Sequence, residues 1–218
     1  MTPARILIVD DHALIGATLA LALRDRGMEA EAILPEELLP RLDEPAPTAG
    51  LVMLDLDLGG DRDGASLVPA LRRSGWRVLV LTGSTDEGRI ATAVAAGAAG
   101  WLPKTSRFEE VVDAAVRATE GRSLLDDTER ARLYAVAETH TRETEGEGSR
   151  WQRLTRRERE IVEHIAAGKR PAEIAAECVV SVATVRTQIK SILSKLEVRS
   201  QLEAAAFARR HGAGGPRR

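Results

Sequence analysis

Short apolar runs alternate with amphipathic segments five times over the first 120 residues of this 218-residue chain. The apolar runs have the length of buried strands and lie at residues 6–9, 28–34, 51–54, 78–81 and 99–102. Segments with helical spacing follow them at residues 13–24, 35–42, 64–74, 86–96 and 106–119. Alternation of this kind predicts a parallel sheet with helices on both faces. We expect the commonest form at this size, a flavodoxin-like (βα)5 fold with strand order 2-1-3-4-5.

The carboxyl ends of the predicted strands carry most of the chemically distinctive side chains. Asp55 ends the third strand, and Asp10 and Asp11 end the first. In the predicted order these two strands are neighbours at the switch point, where open α/β sheets bind ligands. The ends of the fourth and fifth strands add Thr82 and Lys104. The sequence therefore predicts that all five side chains converge on one site.

This set of side chains indicates a particular chemistry. Carboxylates that lie close together repel one another unless a cation lies among them, and hard oxygen ligands suit Mg²⁺. A hydroxyl and an amine aimed at the same point fit the oxygens of a phosphoryl group on Asp55. Taken singly, Asp11 could be a helix N-cap, Thr82 a turn hydroxyl and Lys104 a surface charge. The order of the whole set favours the shared site.

Residues 4–120 resemble the receiver domain of response regulators. The segments that carry the resemblance are Val9-Asp10-Asp11-His12, Leu54-Asp55, Leu81-Thr82-Gly83 and Gly97-Ala98-Ala99-Gly100-Trp101-Leu102-Pro103-Lys104. The resemblance implies that a histidine kinase transfers a phosphoryl group to Asp55.

The same resemblance implies roles for the neighbouring residues. Mg²⁺ would be held by Asp11, Asp55 and the backbone carbonyl of Asp57, with Asp10 assisting through water. The phosphoryl oxygens would be contacted by Thr82 and Lys104, and Trp101 would occupy the position of the switch aromatic residue.

The segment after Asp55 departs from the receiver pattern. Gly59 stands where the family usually has proline, and the glycine expected at the eighth position falls one residue late, at Gly64. We therefore expect the loop at residues 59–63 to be longer, more flexible and more acidic than is usual.

Charge divides the chain into an acidic front and a basic back. Residues 1–120 carry 12 Lys/Arg against 19 Asp/Glu, a net charge of −7, and residues 121–150 carry 5 against 7. Residues 151–218 carry 14 against 7, a net charge of +7. This asymmetry predicts a regulatory or catalytic domain joined to one that binds a polyanion. We place the domains at residues 1–120 and 151–211, with a partly helical linker between them and a flexible tail at 212–218.

Within the linker, residues 126–138 have the pattern of a helix. Residues 139–149 are polar and contain glycine, and we expect them to be disordered.

The basic segment carries the start and stop signals of consecutive helices at residues 155–167, 171–177 and 182–196. Thr155 and Glu158 form the capping box of the first. Two helices joined by a short turn predict a helix-turn-helix, whose later helix enters the major groove of double-stranded DNA. On its exposed side we expect Thr184, Arg186, Thr187, Lys190 and Ser191. The alternative is a small helical bundle with a solvated basic face.

Residues 152–208 resemble the LuxR-type helix-turn-helix domain, and together with the receiver they resemble the NarL/FixJ-type response regulators. The matching residues are Leu154-Thr155, Arg157-Glu158, Glu160-Ile161, Gly168, Ile174-Ala175, Ser181, Thr184-Val185, Ile192, Lys195-Leu196 and Val198. The resemblance implies that Arg186, Thr187 and Lys190 face DNA and that a last helix, at residues 200–210, supports a homodimer. Cys178 and Glu197 stand where leucine and glycine are usual, and Glu197 strains its turn if a left-handed backbone is needed there.

No segment predicts secretion or membrane insertion. The first apolar run has four residues, too few for a signal peptide, and no run approaches membrane-spanning length. The single cysteine, Cys178, excludes an intrachain disulfide and has the surroundings of a small core residue. We expect a cytoplasmic protein.

These observations together predict a transcriptional regulator that is phosphorylated at Asp55 and binds DNA as a dimer, and not an enzyme. One alternative is a haloacid-dehalogenase-type phosphatase, because Asp55 and Asp57 also fit the nucleophile and acid of that family. Another is an unphosphorylated receiver that acts as a protein-interaction module. This alternative rests on the altered loop after Leu58.

Overall fold

The computed structural model describes residues 4–41, 50–59 and 62–211. The chain divides into two compact units, Met1–Thr141 and Arg142–Arg218. The tail predicted at residues 212–218 lies outside the described residues, as do Gly60 and Asp61 of the loop after Asp55.

The first unit is built on a parallel sheet. Within the described residues, its strands are β1 (Arg5–Val9), β2 (Glu29–Ile33), β3 (Leu51–Leu54), β4 (Arg77–Thr82) and β5 (Gly100–Pro103). They pair in the order β2-β1-β3-β4-β5. The predicted fold and strand order are confirmed. Val9 is the register partner of Leu54, so β1 and β3 end side by side at the switch point.

Helices cover both faces of this sheet: α1 (Ala13–Asp25), α2 (Pro35–Arg41), α3 (Val68–Arg73), α4 (Glu87–Ala95) and α5 (Phe108–Thr119). Successive residues of a strand point to opposite faces, so a strand covered on both sides must be apolar at every position. Leu54 of β3 therefore packs in one core cluster and Met53 in the other.

The predicted helix at residues 64–74 is divided into a 3-10 turn, Gly64–Leu67, and the helix α3. Gly64 begins the turn directly against the backbone that follows β3. A Cβ at this position would lie 2.1 Å from the backbone oxygen of Asp55, so only glycine fits there.

A single long helix, α6 (Asp127–Gln152), follows α5. The expectation of disorder at residues 139–149 is therefore wrong. Both ends of the helix have partners that the local sequence could not reveal. In the first unit, Leu133 and Ala137 pack with Ala91 and Val94 of α4. In the second unit, Glu147 accepts hydrogen bonds from Arg210, the closest at 2.9 Å.

The second unit contains α7 (Arg156–Ala166), α8 (Pro171–Glu177), α9 (Val182–Leu196) and α10 (Gln201–His211). All four match the sequence prediction within a few residues. Their apolar faces share one core, which includes Ile161, Ile174, Ile192 and Phe207. Among the residues that the structure describes, no helix is both long and apolar enough to span a membrane.

Candidate functional site

Asp55 lies at the carboxyl end of β3, at the centre of the sheet edge. Its backbone N–H donates to the carbonyl of Val9, 3.0 Å away, which continues the pairing of β1 and β3 by one residue. The residue is only 3% exposed. A carboxylate so deeply buried needs partners that replace its lost hydration.

Lys104 supplies that partner. Its ammonium nitrogen lies 2.7 Å from Oδ2 of Asp55 and 2.7 Å from Oδ2 of Asp10. Burial alone would lower the pKa of Lys104, but the hydrogen bonds to Asp10 and Asp55 raise it above its usual value. Its backbone N–H donates to the carbonyl of Thr82 at 2.8 Å, which joins the ends of β4 and β5.

The acidic pair after β1 completes a cluster of possible metal ligands. Among the described residues, Asp10, Asp11, His12 and Asp55 each offer a ligand atom, and these atoms lie within 4.8 Å of one another. Three carboxyl groups outnumber the one ammonium group of Lys104, and their oxygens are hard donors. This donor set fits a divalent ion such as Mg²⁺.

His12 was not predicted as a site residue. Its backbone N–H donates to Oδ1 of Asp10 at 2.8 Å, and its Nδ1 lies 2.6 Å from Oδ1 of Asp11. His12 therefore contacts both carboxylates, Asp10 through its backbone N–H and Asp11 through its imidazole. Only its position directly after them in the sequence could have indicated this.

Asp57 is near Asp55 through its backbone, while its side chain points elsewhere. Its backbone N–H donates to Oδ1 of Asp55 at 3.2 Å, and its carboxylate lies 2.7 Å from the guanidinium of Arg89. The phosphatase alternative would use this carboxylate as an acid beside Asp55, but here it is paired with an arginine. The sequence pattern did not indicate Arg89, which lies 32 residues from Asp57 along the chain.

The two predicted switch residues are placed differently. Thr82 is fully buried, and its Oγ1 accepts a hydrogen bond from the backbone of Ser84 at 3.0 Å. Trp101 is half-buried on β5 and packs against two apolar clusters, the sheet core and the cluster that joins α4 to α6. Trp101 therefore lies between the core of the sheet and α6.

In the second unit, α8 and α9 are joined by a turn at residues 178–180, with Ser181 as the N-cap of α9. The outward side of α9 exposes four of the residues predicted to bind DNA: Thr184, Arg186, Thr187 and Lys190. Ser191 differs, because it is half-buried and its hydroxyl donates to Glu158 at 2.7 Å. Ser191 was predicted on the exposed side, and this inward hydrogen bond removes it from the candidate surface.

Glu158 of α7 is a buried anchor for α9, and its role beyond the capping box was not predicted. It accepts hydrogen bonds from Ser191 and from Lys195, the latter at 2.6 Å, while also capping its own helix at Thr155. Burial by itself would raise the pKa of Glu158, but these hydrogen bonds lower it to about 2. The network fixes the orientation of α9 and hence of its exposed face.

Comparison with known proteins covers both units. The family model "Response regulator receiver domain" matches residues 6–116, and "Bacterial regulatory proteins, luxR family" matches residues 152–208. The transcriptional regulatory protein LiaR of Bacillus subtilis is 31% identical over 212 residues, which cover 95% of this chain and 97% of LiaR. The response regulator protein VraR of Staphylococcus aureus is 29% identical over 216 residues, covering 95% of this chain and 97% of VraR. The crystal structure of the response regulator ChrA from a heme-sensing two-component system is 29% identical and has a TM-score of 0.45, covering 98% of this chain and 100% of ChrA.

Proposed function

Because the chain belongs to the two-component response regulators that join a receiver domain to a LuxR-type DNA-binding domain, we propose that phosphorylation of Asp55 controls it. The observation that carries this assignment is the shared ammonium group of Lys104, which bridges Asp55 and Asp10 at the switch point of the sheet. This pairing fixes the buried carboxylate of Asp55 at the edge of the sheet where α/β proteins bind ligands.

In the proposed reaction, a carboxylate oxygen of Asp55 attacks the phosphorus of a phosphohistidine on a sensor kinase. The phosphorus–nitrogen bond breaks, and its electron pair returns to the imidazole of the kinase. Asp11, Asp55 and the backbone carbonyl of Asp57 would hold Mg²⁺, with Asp10 assisting through water. When bound, the ion would neutralise charge on the phosphoryl oxygens.

The residues of the chain then respond to the new group. A phosphoryl group on Asp55 adds about 1.5–2 negative charges. Lys104 would pair with a phosphoryl oxygen, and the Thr82 hydroxyl would turn from Ser84 to donate to another. Both movements draw the ends of β4 and β5 towards Asp55.

Acetyl phosphate with Mg²⁺, followed by intact-mass spectrometry, tests the assignment of Asp55. We expect one phosphoryl group on each wild-type chain and none on Asp55→Asn, whose amide keeps the shape but is no nucleophile. Turnover of acetyl phosphate without a stable adduct would indicate a phosphatase. No modification of the wild type would indicate an interaction module.

For the second unit, we propose that α9 lies in the major groove of double-stranded DNA and presents Thr184, Arg186, Thr187 and Lys190. Support comes from their common exposure on a helix of a basic domain, since recognition helices carry such a face. Contacts with phosphates release counterions, so affinity should fall steeply with salt. DNA binding that is indifferent to ionic strength would contradict this role.

We further propose that phosphorylation shifts the protein towards a two-fold dimer in the cytoplasm, where it has access to chromosomal DNA. A dimer on two half-sites matches the symmetry that helix-turn-helix proteins use. Sedimentation before and after phosphorylation tests this step.

A further inference from the structure

We propose that Arg89 of α4 is a positioning residue for the chemistry at Asp55, because it holds the backbone at residues 56–57 against the phosphoacceptor. This inference rests on the function proposed for Asp55. In this role, one guanidinium group stiffens a loop that has Gly59 where the family usually has proline, whose ring would fix φ.

The guanidinium of Arg89 makes contacts at both ends of the loop. One terminal nitrogen donates to Oδ1 of Asp57 at 2.7 Å. The other donates to the carbonyl of Leu56 at 2.7 Å and to Oδ1 of Asp63 at 2.8 Å. The side chain is only 24% exposed, so these charge-assisted hydrogen bonds are partly shielded from water.

The length, backbone conformation and charge of the loop explain why it needs such an anchor. It contains one residue more than the usual pattern, and Gly59 has a left-handed backbone with φ of 76°. Asp57 and Asp63 face each other in an isolated antiparallel bridge, where their like charges would repel. Arg89 pairs with both carboxylates, and its single positive charge reduces their repulsion.

The position of this loop matters directly to Asp55. The backbone N–H of Asp57 donates to Oδ1 of Asp55 at 3.2 Å, so a displaced loop would release one oxygen of the phosphoacceptor. The carbonyl of Asp57 is also the proposed Mg²⁺ ligand. At the far end, the backbone N–H of Gly64 donates to the carbonyl of Leu56 at 2.9 Å, so Arg89 and Gly64 share this acceptor. Among the described residues, the side chain of Asp57 is held by Arg89 alone.

Arg89 is itself held by its helix. Its backbone N–H donates to the side chain of Asp86, the N-cap of α4, at 3.2 Å. The next residue, Ile90, is buried in the sheet core. The guanidinium therefore projects from a fixed support, as a residue that orients a metal site must.

The substitution Arg89→Lys separates geometry from charge. Lysine keeps the positive charge but lacks the planar fork that reaches the Leu56 carbonyl and two carboxylates together. The matched control is Arg62→Lys, in the same loop, where the side chain is 3.9 Å from Glu36. We expect Mg²⁺ affinity to fall about 10-fold in Arg89→Lys, the low end for residues that orient metal ligands. Arg62→Lys should match the wild type.

Two measurements on the full-length chain test the effect of Arg89→Lys on Mg²⁺ binding and on the modification of Asp55. Mg²⁺ titration of the unphosphorylated protein, followed through backbone amide resonances in NMR, gives the affinity without any reaction. The rate of Asp55 modification by acetyl phosphate, measured at fixed Mg²⁺, should slow in Arg89→Lys and be restored in part by excess Mg²⁺. A purely structural role would lower the melting temperature without this rescue.

The outcomes distinguish this inference from the function on which it rests. If wild type takes no phosphoryl group, the proposed function fails. If wild type is modified but Arg89→Lys binds Mg²⁺ and reacts equally well, the role of Arg89 is wrong.

Should Arg89→Lys not fold, Asp63→Asn replaces it, because asparagine can still cap the 3-10 turn while losing its charge pair with Arg89. We expect a smaller weakening of Mg²⁺ binding in the same direction. An unchanged affinity would overturn the proposal.

Discussion

The ammonium nitrogen of Lys104 lies 2.7 Å from Oδ2 of Asp55, and the same group bridges to Asp10. This one cation therefore pairs with two buried carboxylates. In the proposed function, a phosphoryl group on Asp55 would change the charge around Lys104. The hydrogen bond from the backbone N–H of Lys104 to the carbonyl of Thr82 would carry a movement of β5 to the end of β4.

We predict that Lys104→Ala still accepts some phosphoryl group on Asp55 but no longer transmits the change. Without the ammonium group, no ion pair couples a phosphoryl group on Asp55 to the end of β5. DNA affinity, measured before and after treatment with acetyl phosphate, should then stay the same. Arg26→Ala is the control, since it removes a cation from an exposed pair with Asp113. A normal rise in DNA affinity in Lys104→Ala would contradict this role.

The second prediction concerns Trp101, which packs against both the sheet core and the α4–α6 cluster. Phosphorylation should change its fluorescence and raise the sedimentation mass, because movement of β5 must repack this side chain. Trp76 and Trp151 must first be replaced by phenylalanine so that one emission is read. The Asp55→Asn variant in this background should show neither change. Stoichiometric modification without a change in emission or mass would exclude the proposed coupling.

The sheet and most of its edge could be predicted because their signals are local. A strand covered on both faces is apolar throughout, and the order of the strands then brings Asp10, Asp55 and Lys104 to one edge. Each of these residues could be placed from its own strand, without knowledge of any side-chain partner.

Other features depend on partners far away in the sequence, and local patterns do not reveal them. Arg89 meets Asp57 and Asp63 only after the chain has folded. Ser191 lies on a helix with an exposed face, but Glu158 draws its hydroxyl inward. Residues 139–149 have no apolar periodicity, and a partner such as Arg210, which donates to Glu147, is distant in the sequence. Tertiary contacts decide such cases.

The third prediction follows from the turn after α9. Glu197 has a left-handed backbone, with φ of 58° and ψ of 38°, as its replacement of the usual glycine suggested. A non-glycine residue there costs about 1 kcal/mol or more. Glu197→Gly loses ion pairs with Arg150 and Arg153, and Glu197→Gln loses them too while keeping the Cβ. In denaturant unfolding, the glycine variant should be more stable than the glutamine variant by about 1 kcal/mol. Equal stabilities would show that the turn is unstrained.

The fourth prediction is a loss of stability in the second unit at low pH. The pKa of Glu158 is about 2 in the folded chain, against an ordinary value of 4.5. Because the pKa of Glu158 is lowered only in the folded state, ionised Glu158 stabilises that state. This stabilisation is fully present above pH 4.5 and is lost as the pH falls towards 2. Unfolding of this unit can be followed through the emission of Trp151, which stacks near Phe207, in a variant whose Trp76 and Trp101 are replaced by phenylalanine.

The substitution Glu158→Gln should remove most of that pH dependence and cost about 2–3 kcal/mol at neutral pH, because it leaves Lys195 without its carboxylate. Glu160→Gln, on the same helix, removes a half-exposed partner of Arg157 and should change stability by less than about 1 kcal/mol. Similar costs for the two variants would contradict the anchoring role of Glu158.

The fifth prediction concerns how α9 reads DNA, since an exposed arginine can contact either a base edge or a phosphate. If Arg186 reads a base, Arg186→Ala should lose about 1–3 kcal/mol on the preferred sequence and much less on others, so that sequence preference relaxes. Arg156→Ala is the matched control, because it removes the same charge from a fully solvated position at the start of α7. Binding measured on a panel of sequences at several salt concentrations separates the two modes. If Arg186→Ala weakens binding uniformly and lowers the salt dependence, Arg186 contacts a phosphate, and the sequence preference must come from Thr184, Thr187 or Lys190.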